Sequence, residues 1–137
     1  MLAADMMWYL LRSGIVKQTT YTATIAPVET WTQNIYVPDN RRWYIFGIEL
    51  KWTTSPGTWY SYVHAYEPAG QRMAYVVPSN SMNPKHFPSI YNSGGIPIDN
   101  LLPLKTGHSL RASVYSPAGV VNNTDIRLAI NYVEVIV

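Results

Sequence analysis

Residues 42–53 read Arg-Trp-Tyr-Ile-Phe-Gly-Ile-Glu-Leu-Lys-Trp-Thr. Taken with a period of two, one face carries Tyr44, Phe46, Ile48, Leu50 and Trp52. The other carries Trp43, Ile45, Gly47, Glu49, Lys51 and Thr53. Alternation in aromatic and β-branched residues marks a half-buried strand, because a helix would scatter the same five side chains around its circumference. This stretch predicts a central strand, and the remaining chain follows the same rule. Strands are expected at 21–26, 31–37, 58–66, 72–77, 108–116 and 125–137, with shorter ones at 86–91 and 96–102. Turn residues punctuate them: Pro38-Asp39-Asn40, Ser55-Pro56-Gly57, Pro68-Ala69-Gly70 and Pro117-Ala118-Gly119.

The turn at Ser55-Pro56-Gly57 predicts a hairpin between the central strand and residues 58–66. In that second strand Tyr60, Tyr62, His64 and Tyr66 share a face, opposite Trp59, Ser61, Val63 and Ala65. Residues 78–107 are rich in breakers (Pro78, Pro84, Pro88, Pro97, Pro103 and Gly94-Gly95) and read as a long crossing segment. The final residues, Val133-Glu134-Val135-Ile136-Val137, are apolar on both faces apart from Glu134, so they are expected either to be covered on both sides or to continue into an oligomer contact. The count and spacing predict an all-β fold, an antiparallel β-sandwich of jelly-roll type with about eight strands, with an immunoglobulin-like sandwich or a short β-barrel as the alternatives.

Residues 1–11, Met-Leu-Ala-Ala-Asp-Met-Met-Trp-Tyr-Leu-Leu, differ in character. They favour a short helix that Gly14 could end. The apolar run at 6–11 is too short to span a bilayer, and the segment lacks the cationic start of a signal peptide. Apolar nearly all round, it needs cover on more than one side. Residues 1–20 are therefore read as an N-terminal docking arm, with 15–20 as connector, and residues 21–137 as the β-sandwich domain. The arm's contact residues are Met6, Met7, Trp8, Tyr9, Leu10 and Leu11.

Charge and composition narrow the function. Ten Lys and Arg against eight Asp and Glu give a net charge of +2 without clusters, unlike the basic stripe of a nucleic-acid binder. Charged residues make up 13% of the chain, against about 25% in a typical globular domain. Eleven Tyr, five Trp and two Phe are more than a domain of 137 residues can hide. Surface Tyr and Trp with few charges is the composition of interface cores. The lack of cysteine removes disulfides and thiolate metal sites. His64, His86 and His108 lack the close spacing of a metal-binding pair, no Gly-x-Ser-x-Gly elbow occurs, and no phosphate-binding loop is present. The expectation is a protein without catalytic activity, cofactor or metal.

Two passages, IPIDNLLPLKTGHSLRASVYS followed by DIRLAINYVEV, and NRRWYIFGIELKWTTSPGT, carry a resemblance. Their strand and turn pattern resembles viral and phage capsid decoration (cement) or head-fibre-type jelly-roll proteins. The resemblance implies a virion structural protein assembled in a host cytoplasm, a homo-oligomer with a trimer favoured. Its partner would be a major capsid protein or another virion protein, gripped through the arm, with neither nucleic acid nor a membrane span involved. The alternative is a carbohydrate-binding or receptor-binding β-sandwich module, whose platform aromatics would be Trp31, Trp43, Trp52, Trp59 and Tyr60.

Overall fold

The computed structural model describes residues 12, 14–53, 59–80, 85–86 and 102–137. Nine strands follow in order: β1 (Ile15–Ile25), β2 (Thr30–Tyr36), β3 (Arg41–Trp52), β4 (Tyr60–Tyr66), β5 (Arg72–Asn80), β6 (Lys85–His86), β7 (Leu102–Leu104), β8 (Ser109–Tyr115) and β9 (Thr124–Ile136). One sheet has the order β1-β9-β3-β6, with β7 also on β3; the other has the order β2-β8-β4-β5. Every pairing is antiparallel. β6 and β7 lie along the same edge of β3, against Glu49–Leu50 and Trp43–Ile45, and together occupy one strand position. Counting them as one, the pairs nest: β1 with β9, β2 with β8, β3 with β7, and β4 with β5. Such nesting is the double Greek-key winding of a jelly roll.

Nested winding sends consecutive strands to opposite sheets, which corrects one expectation. β3 and β4 form no hairpin: β3 pairs with β9, β6 and β7, whereas β4 pairs with β5 and β8. A turn signal between two strands does not distinguish a hairpin from a passage between sheets. Trp52 and Trp59, at the two ends of this passage, instead pack with ring centroids 6.1 Å apart. The hairpin in this region is β4–β5, closed by Gly70 at φ 87° and by Gly70 N–H donating to Glu67 O at 2.9 Å.

β3 occupies the interior of its sheet, as expected, but its alternation is broken. The register with β9 slips between Ile45 and Gly47, leaving Phe46 as the extra residue of a bulge. Trp43 and Ile45 are buried before it, and Ile48, Leu50 and Trp52 after it. The core face therefore changes phase at Phe46, combining parts of both faces read from the sequence. Gly47 sits where a Cβ would come within 3.1 Å of Asn131 Nδ2, so a side chain there would require the Asn131 side chain to give way.

Ile15 to Thr20, expected as a connector, form the first half of β1, which pairs in unbroken register with β9 from Ile15↔Glu134 to Ile25↔Thr124. The expected helix and docking residues at 1–11 lie outside the described residues. The core joins Ile45, Ile48, Leu50, Leu104, Leu128 and Ile130 from one sheet to Ile35, Val63, Leu110 and Val114 from the other. Each such side chain contributes about 1.5–3 kcal/mol by leaving water. On the opposite side of β9, Ala129 and Val133 are also buried, whereas Ile136 and Val137 at its end are 68% and 61% exposed, so the cover expected there stops short of them.

Candidate functional site

The tryptophans named as platform candidates do not lie open to solvent. Trp43, Trp52 and Trp59 are 6%, 4% and 4% exposed and belong to the core, and Trp31 is half-buried against it. A sugar platform needs an open ring face, so Trp43, Trp52 and Trp59 cannot provide one. Of the five aromatics, only Tyr60 is exposed, at 53%.

The surface aromatics instead gather on the outer face of β2-β8-β4. Strand register places Thr30, Tyr115 and Tyr60 in one row, then Thr32, Ser113 and Tyr62. Next come Asn34, Arg111 and His64, and last Tyr36, Ser109 and Tyr66. The shared face of Tyr60, Tyr62, His64 and Tyr66 was legible in the sequence. Their partners Arg111, Asn34 and Tyr36 were not, since they come from strands distant in the chain. His64 stacks on Tyr62 at 4.2 Å between centroids with 19° between planes, and its Nδ1 lies 3.4 Å from Tyr66 Oη. The Arg111 guanidinium sits 4.7 Å over the Tyr66 ring, and its Nε donates to Asn34 Oδ1 at 2.8 Å. Cation–ring and hydrogen-bond contacts thus fix Arg111 before any ligand arrives. On this face Tyr36 and Tyr60 are exposed, whereas His64, Ser109 and Ser113 are buried, and Arg111 supplies a cation.

A second cluster sits on the inner face at one end of the other sheet. Glu134, 8% exposed, accepts from Trp43 Nε1 at 2.8 Å and from Lys17 Nζ at 2.7 Å. Arg41 Nε stands 3.6 Å from the same carboxylate. Beside it, Tyr132 packs on Trp43 with centroids 4.3 Å apart, its hydroxyl 3.1 Å from Thr19 Oγ1. Burial alone would push the Glu134 carboxyl up. The hydrogen bonds from Lys17 and Trp43, with the charges of Lys17 and Arg41, outweigh it and hold the group below the usual carboxylate range. Lys17 is raised, chiefly by its hydrogen bond to Glu134. The sequence signal for this cluster was one acid in an otherwise apolar C-terminal run; its partners were invisible without the pairing. The arrangement locks a strand end and has the character of structure rather than chemistry.

A third feature is an open groove of about 630 Å³ across the ends of β1, β9 and β3, lined by Thr22, Thr24, Lys51, Thr53, Asp125 and Arg127 among others. Glu49 Oε1 lies 3.4 Å from Arg127 Nη1 and 3.8 Å from Lys51 Nζ, and Thr24 Oγ1 donates to Asp125 at 2.9 Å. Charges there are mutually compensated, leaving no excess for an ion. Among the described residues no group of three or more His, Asp or Glu could hold a metal, and no helix is long and apolar enough to cross a membrane.

No family model matches the chain, and no curated protein matches it. Among solved structures, it is similar to a chain of the cyanophage Pam1 capsid asymmetric unit at 14% identity and a TM-score of 0.49, over 88% of this chain and 86% of that one. It is also similar to dimeric latent PorU from Porphyromonas gingivalis at 10% identity and a TM-score of 0.39, over 90% of this chain but 13% of PorU. Neither likeness assigns a family or an activity.

Proposed function

We propose that this protein is a virion structural protein, a capsid decoration or cement protein that acts by burying surface on a shell and catalyses nothing. The observation that carries the reading is the placement of β1. β1 is an edge strand whose first residues, Ile15 and Val16, are 57% and 54% exposed, and the apolar stretch at 6–11 precedes them in the sequence. Low charge and abundant surface tyrosine support the same reading. The partner is a major capsid protein or another virion protein, the site of action the virion, and Met6, Met7, Trp8, Tyr9, Leu10 and Leu11 the contact.

Removing residues 1–11 is expected to abolish co-sedimentation with capsid shells while the far-UV circular dichroism of the β domain stays unchanged. Undiminished binding by the truncated chain would sink the mechanism.

A carbohydrate-binding module is the second reading, favoured by the outer face of β2-β8-β4. With the tryptophans buried, its platform is Tyr60 and Tyr62, oriented by the His64 stack and flanked by Arg111. Glycan-array binding that disappears in Tyr60→Ala would establish this reading, and an array without signal removes it.

A further inference from the structure

The free edge of β1 carries an inference that does not depend on what the protein decorates. β1 is hydrogen-bonded to β9 on one side, and among the described residues no strand pairs with its other side. Sheet edges are ordinarily blunted by shortness, proline, a bulge or charge. β1 is 11 residues long, contains no proline, and keeps its register with β9 without a slip. Its one charged residue is Lys17, and that ammonium is engaged by Glu134 at 2.7 Å. By contrast β2, the neighbouring edge of the other sheet, has 7 residues, and β5 contains Pro78.

We propose that β1 pairs antiparallel with β1 of a second copy of this chain, centred on Thr20, joining the two sheets across a two-fold axis. Centring on Thr20 is the only self-pairing that uses the whole strand from Ile15 to Ile25. It sets Thr20 against Thr20, Gln18 against Thr22, and Val16 against Thr24 of the second copy. All of these lie on the outward side, where the structure leaves them exposed. On the inward side it sets Ile15 against Ile25 and Lys17 against Ala23. Pairs of β-branched and neutral polar residues stabilise antiparallel neighbours, whereas like charges directly opposite destabilise them. In this register the lysines of the two copies never meet. The backbone groups left unpaired on each edge satisfy one another, as in strand addition generally.

The test uses the cysteine-free background of the full chain. In the wild type, native mass spectrometry across a concentration series is expected to show a monomer–dimer equilibrium. Thr20→Cys should oxidise to a covalent dimer, while Val16→Cys, facing Thr24 rather than itself, should not. Thr20→Lys and Thr20→Glu should each weaken dimerisation at least tenfold with unchanged circular dichroism, and mixing the two should restore it as a heterodimer. A monomer at all concentrations, or a dimer indifferent to Thr20→Lys, overturns the proposal. A trimer overturns it too, yet leaves the shell-binding reading standing, so the two fail separately.

Discussion

Val28 sits with φ at 67° in the turn between β1 and β2, where Glu29 N–H donates to Ala26 O at 3.2 Å. With Pro27 before it, the geometry is that of a turn whose third residue favours glycine. A β-branched side chain in the left-handed region costs about 1–2 kcal/mol. Val28 is 57% exposed and contributes little packing. Val28→Gly is therefore expected to stabilise the fold, after the added chain entropy of glycine, by about 0.5–1 kcal/mol in denaturant titration. Glu134 argues the opposite case. Glu134→Ala leaves the buried Trp43 Nε1 without its acceptor and should cost about 1–3 kcal/mol. Lys17→Met, altering an exposed partner, should cost less than Glu134→Ala. The pH dependence follows from the depressed Glu134 carboxyl. Its contribution is complete above the ordinary carboxylate range and is lost as pH falls through the lower folded value. Thermal midpoints measured in acid should fall for the wild type and fall less for Glu134→Gln.

At the scale of the strand, the bulge in β3 makes a sharper prediction. Phe46 is the residue without a partner between Ile45↔Tyr132 and Gly47↔Asn131. Deleting Phe46 should convert the bulge to regular pairing and keep Trp43, Ile45, Ile48, Leu50 and Trp52 all inward. Deleting Glu49 instead turns one end of the strand inside out. Circular dichroism and thermal melts should show the first deletion folded and the second not. The strand itself was legible because its residues are apolar on alternate positions. The bulge was not, because Phe46 and Gly47 fit either phase and only the contact with Asn131 decides. The first half of β1 escaped notice for a related reason. Lys17, Gln18 and Thr20 are exposed on an edge, so burial imposes almost no alternation there. Turn signals marked where the chain bends but not whether it stays in the same sheet, hence the misassigned β3–β4 hairpin.

For the whole molecule, the sandwich class was readable from strand count and turn spacing, while its surface was not. Trp43, Trp52 and Trp59, which composition suggested for an interface, fill the core. Tyr36 and Tyr60, each with a hydroxyl to keep wet, are exposed, whereas Tyr132 is buried beside Trp43. Truncation of residues 1–11 is the prediction at this scale, read by native mass as well as shell binding: the β1 pairing should survive it.

The central position of β9 bears on how the protein is made. β9 lies between β1 and β3, pairing Ile15 with Glu134 and Arg41 with Ile136. Until β9 is synthesised, β1 has no partner in its sheet and β3 has only the short β6 and β7. Contacts so distant in sequence make for slow folding, with unpaired strands exposed meanwhile. A nascent polypeptide stalled before residue 124 should therefore remain open to protease in β1 and β3.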